Sequence, residues 1–399
     1  MRGSSGGTGV ALTRPVARVR EPRHLEWVAR FGSFVTITDW PPERSATDLL
    51  DAVVAELKAD PRVVSVEEPE IEEDWCTSGV IYPSPLPSGI DSWFHHMHWV
   101  RFSAPLSFRV GVPAKNQRRL SEGDELPTSY VVWWDGMVVL TAWQVRADEP
   151  LGLSGGHVVE DILSEALERA DFELYVQGCN PGCSYGYAHT SLRLLPAVDD
   201  QDEIAYEESS FPGEVTALVP RIPRERPGAA FFDLAIPAAG FTTMKNVGRH
   251  MLDVEQDARE NLDKLLDLVN ARAEVSLVGK GSRPKAMWEL RHWRRESNRL
   301  IAKVWLGLSV IERLQRTWSA ERFDFEQATG ERGLSRLFVR DHADDKARIE
   351  SLDLDLMRAA VAQAAERLDR QALTRVTGIA AVAGGVAGAV FGALAGHII

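Results

Sequence analysis

Short runs of apolar residues separated by turn-forming residues dominate the first 180 positions of the chain and predict β-strands. They lie at residues 33–40, 62–66, 93–102, 106–112 and 172–176. Two further runs, 129–134 and 137–145, flank Asp135 and Gly136, a dipeptide typical of a tight two-residue hairpin with positive φ. We therefore expect an antiparallel hairpin at this point.

Only two amphipathic helices, at residues 47–58 and 155–170, interrupt these strands. A doubly wound α/β sheet needs a helix at nearly every crossover, so this spacing argues against one. The pattern predicts an α+β fold with a mixed or antiparallel sheet, of which two ferredoxin-like halves are a more specific version.

The hydrophobic spacing changes to three and four residues beyond about Lys245, which indicates helices. Two long helices are predicted, separated by residues 278–284, and a third at 346–375. Between them and the strands lies an acidic and then proline-rich stretch, 196–240, with short apolar runs typical of edge strands or a linker. We expect four parts in chain order: a disordered basic arm at 1–24, an α+β domain at 25–240, a helical bundle at 241–375 and a tail at 376–399.

The tail, residues 376–399, contains no Asp, Glu, Lys or Arg. As a helix it would be about 36 Å long, sufficient to cross a hydrocarbon core of about 30 Å once. Arg370 and Arg375 precede it, so the positive-inside rule predicts a single-pass anchor in the inner membrane with the bulk of the protein cytoplasmic.

Glycine recurs at every fourth position of this tail, at Gly384, Gly388, Gly392 and Gly396. On a helix these residues would form one smooth stripe, which allows helices to pack closely in a membrane. The same Gly and Ala content makes insertion marginal and therefore conditional. The alternative is a helix buried in the protein's own core or in an oligomer interface.

The net charge of −13 argues against a nucleic-acid partner. Three cysteines exclude a disulfide scaffold, and the arginine-rich first 24 residues contain no apolar run of secretory length. These features predict a protein that folds in a reducing compartment.

His96 and His98 are the strongest candidates for metal ligands. On a strand they would lie on one face, at a spacing that a metal site can use, with His95 on the other face. A third ligand is missing at readable spacing, although Cys76, Cys179 or Cys183 would become available through the fold. The alternative is an aromatic-rich strand whose histidines are hydrogen-bonded or exposed.

The other motifs give weaker evidence of a catalytic or binding site. Ser184 is the serine of a GxSxG sequence, but the residues after it have the composition of a strand. A nucleophile elbow needs a helix at that point, so this pattern argues against one. Gly281 follows Lys280 where a phosphate-binding loop needs Ser or Thr. We therefore assign no catalytic residue and no cofactor.

Of the 45 basic residues only eight are Lys, a bias typical of proteins from high-GC bacteria. An α+β first half, a helical second half and a small-residue tail resemble the layout of the bacterial CATRA (caspase and TPR-repeat associated) proteins of conflict systems. The resemblance implies an antiviral defence setting and a caspase-like protease as partner, with residues 198–228 as an exposed cut site. CorA-type channels share part of the layout, but the absent second span and Gly-Met-Asn signature argue against magnesium transport.

Three functions follow as hypotheses. The first is a membrane-anchored, non-enzymatic effector or sensor whose soluble part binds a ligand or partner and whose tails associate in the bilayer as a homo-oligomer. The second is a tail-anchored metal-dependent hydrolase that uses His96 and His98. The third is a membrane-tethered scaffold.

Overall fold

The computed structural model describes twelve stretches of the chain, which contain eleven strands and six α-helices. The described residues are 25–38, 46–69, 76–83, 93–117, 126–146, 156–177, 186–197, 203–209, 213–220, 226–277, 283–330 and 333–368. The strands are β1 (Leu25–Thr38), β2 (Val63–Glu67), β3 (Cys76–Ile81), β4 (Met97–Phe102), β5 (Leu106–Gly111), β6 (Ser129–Trp134), β7 (Val138–Arg146), β8 (Glu173–Val176), β9 (Ser191–Pro196), β10 (Ala205–Glu208) and β11 (Glu214–Val219). The helices are α1 (Ala46–Ala59), α2 (His157–Arg169), α3 (Arg226–Leu277), α4 (Arg283–Gly330), α5 (Ser335–Glu350) and α6 (Leu354–Leu368).

Strand β1 joins two parts of one eleven-stranded sheet. Its first nine residues pair with β7 and, over part of that length, with β9, whereas residues from Phe34 onward pair with β8 and then β4. The change occurs next to Gly32, where a Cβ would lie 3.0 Å from both the Gly186 carbonyl oxygen and a Val139 methyl group. Glycine therefore permits the close approach of neighbouring segments at the point where β1 exchanges one set of partner strands for the other.

The longer part of the sheet has the order β10-β11-β9-β1-β7-β6-β5-β2, and β3, β4 and β8 extend from the second part of β1. The β11–β9 pair is parallel and the others are antiparallel, so the predicted mixed sheet of an α+β fold is confirmed. Helices α1 and α2 contact each other and lie over the same sheet. The described residues thus form one continuous strand order rather than two ferredoxin-like halves, each of which would need its own helix pair.

Two hydrophobic cores lie on opposite sides of the sheet. On one side, Val53 of α1 and Ile162 of α2 pack with Phe108 and Val132 of the strands. The other side packs against the bundle of α3 to α6, in a core that joins sheet residues such as Phe31 to Phe241, Phe325 and Phe338. Because one core contains side chains of both, the sheet and the bundle are packed together as layers.

The two long helices expected from the spacing of apolar residues are confirmed as α3 and α4, which pack along each other in opposite directions. The first begins at Arg226, well before the expected change at residue 241. The expected third helix is two helices, α5 and α6, separated by Ser351–Asp353.

The expectation that residues 198–228 are exposed is wrong for β11, whereas β10 lies at the end of the strand order, as the alternative of edge strands predicts. Strand β11 lies between β9 and β10, and its residues Val215, Ala217 and Val219 are buried. This apolar run, which alternates with polar residues and follows an acidic stretch, is an interior strand because β10 pairs with its outer edge.

The arm at residues 1–24 and the tail at 376–399, with Gly384, Gly388, Gly392 and Gly396, lie outside the described residues. Among the helices that are described, none has both the length and the apolar character needed to cross a bilayer. The antiparallel hairpin at Asp135 is confirmed, with Gly136 at φ 90°, but the expected two-residue Asp135-Gly136 loop is wrong, because Trp134 pairs with Val139. Asp135 itself has no positive φ, and its carboxylate instead accepts hydrogen bonds from Met137 N (3.0 Å) and Val138 N (2.7 Å).

Candidate functional site

Several polar side chains lie at the contact between the sheet and α3. Ser33, at the bend of β1, lies 2.7 Å from the hydroxyl oxygen of Thr242 on α3, and both residues are buried. Because Thr242 Oγ1 donates its own hydrogen to the Ala238 carbonyl (2.9 Å), the Ser33 hydroxyl is the donor between the two. A buried hydroxyl with its partners in place costs little, but one without them is expensive.

Gln177, directly after β8, contacts the backbone of α3 rather than its side chains. In the amide orientation that its neighbours require, it donates to the Thr242 carbonyl (3.1 Å) and accepts from the Asn246 N–H (3.0 Å). Those two groups are the pair that an α-helix joins through its own i to i−4 bond. Gln177 therefore bonds to both groups of one rung of the helix.

Asn246 connects the same helix to the end of β3. Its side-chain oxygen accepts from the Tyr82 N–H, and its side-chain nitrogen donates to the Tyr82 carbonyl, both at 2.8 Å. The amide thereby satisfies both main-chain groups of a residue that has just left its strand.

His250 continues this stripe one turn further along α3. Its ring stacks on Tyr82, with centroids 4.1 Å apart and planes 7° from parallel, and its Nε2 lies 3.1 Å from the Trp93 carbonyl oxygen. Burial lowers the pKa of His250 from 6.5 to about 4; the bond to Trp93 opposes this change and the charge of Arg313 adds to it. The imidazole is therefore neutral at physiological pH and donates from Nε2. Trp93 in turn donates from its indole N–H to Asp257 (2.9 Å).

We call the set Ser33, Tyr82, Gln177, Thr242, Asn246 and His250 the polar joint. Its members on α3 recur at every fourth position and therefore form one face of the helix. The groups are hydroxyls, amides and a neutral imidazole, each bonded mainly to main-chain atoms. Such chemistry suits a contact that opens and closes more than it suits bond cleavage.

The helix at the polar joint is locally weakened. Pro237 lies inside α3 and has no N–H to donate, and Gly240 has the lowest helix propensity of any residue except proline. Thr242 and Thr243 both bond back to carbonyls four residues earlier, at 2.9 and 3.2 Å. These features lie within about three turns of a 52-residue helix and lower its helix propensity there.

A second polar contact joins α5 to the sheet and to α3. The buried carboxylate of Asp341 accepts from the His189 N–H (3.1 Å) and lies 2.8 Å from His189 Nδ1. One turn later, Asp345 lies 3.9 Å from Arg249 Nε, and all but His189 are buried. These pairs hold α5 against α3 and against the segment that precedes β9.

The structure brings the predicted metal ligands His96 and His98 together, with ring centroids 5.3 Å apart. His96 Nδ1 lies 3.1 Å from the Phe94 carbonyl oxygen, and burial lowers the pKa of His98. The β3–β4 register places Cys76 opposite Phe102, four residues or about 13 Å along the strand from His98. Within the described residues, no group of three potential ligands converges. Cys179, Cys183 and Ser184 lie outside them.

Sequence reasoning missed the polar joint, although one signal was visible. Thr242, Asn246 and His250 place polar groups at every fourth position of an otherwise apolar helix face, just after Pro237. Gln177 and Tyr82 carry no such signal, because only the fold brings them to that face.

Comparison of the chain with protein-family models, with curated proteins and with solved structures finds no match in any of the three.

Proposed function

We propose that this chain is a membrane-anchored, non-enzymatic effector or sensor of a bacterial conflict system. Its sheet binds a ligand or partner, the bundle of α3 to α6 oligomerises, and the tail at 376–399 inserts in the inner membrane, where Gly384, Gly388, Gly392 and Gly396 pack against other copies. A caspase-like protease is the partner that the CATRA-like layout suggests.

One observation carries the proposal: the sheet and the residue after β3 meet α3 through hydrogen bonds of Ser33, Gln177 and Tyr82, close to Pro237 and Gly240 in the helix. An intramolecular hydrogen bond contributes only about 1 kcal/mol net, since water replaces it when it breaks. A joint of five or six such bonds can therefore exist in two arrangements that differ by a few kcal/mol. A ligand that prefers one arrangement would shift the other to a minor population.

The hydrophobic packing next to the joint supports the same role. Phe31 on β1 contacts Phe241 on α3 and Phe338 on α5, with ring centroids 6.1 and 4.8 Å apart. A movement of β1 would change these contacts in both helices at once. This packing supports a coupling of the sheet to α3 and α5.

The experiment compares the full chain with a chain ending at Arg375, both produced in bacteria. We expect the full chain to pellet with membranes and slow growth, and the shorter chain to remain in the supernatant without effect. Equal distribution and equal growth would overturn the proposal.

A tail variant separates an effector from a scaffold. G384L combined with G388L and G392L keeps the tail apolar but removes the stripe. An effector keeps its membrane location and loses its effect on growth, whereas a scaffold changes at most its location.

A further inference from the structure

The far end of the α3–α4 hairpin carries a charge opposite to that of the protein as a whole. Residues 272–299, which end α3 and begin α4, contain eight Lys or Arg and three Glu, whereas the full chain has a net charge of −13. Arg294, Arg295 and Arg299 lie beyond the first turns of α4, which begins at Arg283, and all three are exposed. We call these three residues the basic tip.

The last described helix, α6, also ends near this end of the hairpin. Along α5 and α6, Lys346 pairs with Glu326, Glu350 with Arg322, and Arg358 with Glu312 of α4. The α4 partners descend in number as α5 and α6 advance, so these helices run antiparallel to α4 and toward its first residue.

The distance that remains is short. Ten residues separate Arg358 from Leu368, about 15 Å of helix, which brings the end of α6 to about the level of Ala302. Arg299 and Arg295 begin within two turns beyond that level on α4. Whatever follows α6 therefore starts next to the basic tip.

Trp293, partly buried, stands beside the tip, between His292 and Arg294. Arg and Trp together are typical of surfaces that touch lipid headgroups, where the indole occupies the interface and each cation near an anionic leaflet contributes binding energy. Arg299 also pairs with Glu296 at 2.6 Å.

We propose that the basic tip docks on the surface of an anionic bilayer, independently of insertion by the tail. The inference rests on the membrane location in the proposed function and names the lipid chemistry: phosphate headgroups of acidic phospholipids. The tip would hold the hairpin end against the leaflet from which the tail enters.

The test uses flotation with phosphatidylcholine vesicles that contain no or 30% phosphatidylglycerol, at 0.1 M salt. The proteins are the full chain and the chain ending at Arg375, which retains all described helices and strands and whose folding is checked by thermal unfolding. In both, R294Q, R295Q and R299Q are combined. The matched control combines R109Q, K115Q and R336Q, three exposed residues elsewhere, and so has the same net charge.

We expect the shorter chain to bind the anionic vesicles at least tenfold more tightly than neutral ones, and the tip variant, but not the control, to lose this preference. Raising salt to 0.5 M should abolish it, because the Debye length falls to about 4 Å. Equal binding by tip and control variants would overturn the proposal, as would a tip-dependent affinity for RNA without affinity for vesicles. If the full chain fails to float with neutral vesicles while the tip variant still loses the preference for anionic ones, only the proposed function is contradicted.

Discussion

The side-chain amide of Asn246 pairs with the main chain of Tyr82 through two hydrogen bonds of 2.8 Å, across 164 residues of sequence. This geometry imitates the pairing of adjacent strands, except that one partner is a helix side chain. The end of β3 is thereby attached to α3 at a single residue, and His250 covers the same tyrosine from one turn away.

Replacing Asn246 by alanine should destabilise the protein by about 2 kcal/mol. The change leaves the N–H and C=O of Tyr82 without protein partners in a partly buried place, and each such group costs about 1 kcal/mol or more. Chemical denaturation measures the difference. The control is N298A on the exposed face of α4, which should change the free energy of unfolding by less than about 0.5 kcal/mol. Equal effects would show that the Asn246 pair adds nothing.

Acidification should loosen the polar joint through His250. Its pKa is about 4 in the folded chain, against 6.5 as its ordinary value, so below pH 6.5 the unfolded chain binds a proton that the folded chain does not. Stability is therefore full above pH 6.5 and falls as the pH decreases toward 4, by up to about 3 kcal/mol from this residue.

The variant H250F removes this titration and keeps an aromatic ring over Tyr82. At pH 7 its free energy of unfolding should be lower than that of the unchanged protein, because phenylalanine cannot bond to Trp93. Between pH 6.5 and 4 that free energy should change less than in the unchanged protein. His98 and His342, whose pKa values burial also lowers, contribute to both proteins and cancel in the comparison. Parallel pH profiles of the two proteins would contradict the assignment to His250.

Two helix glycines should respond to alanine in opposite directions. At Gly240 no atom lies within 4 Å of an added Cβ, so G240A should stabilise the chain by about 0.5–1 kcal/mol through helix propensity alone. At Gly307 a Cβ would lie 3.0 Å from that of Ala258 and 3.2 Å from Trp93, where α3 and α4 touch. G307A should cost about 1 kcal/mol net, because overpacking exceeds the propensity gain. Thermal unfolding of both variants tests the contrast.

The same G240A variant tests the proposed function. Because it stiffens α3 beside the polar joint, we expect the full chain carrying it to fold more stably but to slow bacterial growth less. A stabilised chain with unchanged effect would show that bending at this point is irrelevant to output.

Metal binding by the histidine pair should be weak. His96 and His98 supply two ligands, and zinc sites need three or four. We expect the purified chain to contain no stoichiometric zinc, and H96A with H98A to leave its metal content and thermal stability unchanged, as measured by elemental analysis and calorimetry. One zinc per chain that disappears in the double variant would restore the hydrolase hypothesis.

Local patterns predicted the elements well where one face is buried. The helix at 47–58 and the hairpin at Asp135 are examples, since periodicity and turn chemistry are encoded within a dozen residues. The stretch that became β11 was not recognised as an interior strand, because only the neighbour β10 makes it one. The polar joint was missed because Gln177 and Thr242 meet through tertiary packing, and a buried glutamine has no periodic signature.

The length of α3 beyond its weakened segment determines how far a small change would travel. From Thr242 to Leu277 the helix extends about 52 Å. A 10° change in direction at Thr242 would displace the hairpin end by roughly 9 Å, about the diameter of a helix. A rearrangement of single side chains at one end would thus become, at the other, a step large enough to exchange one helix neighbour for another.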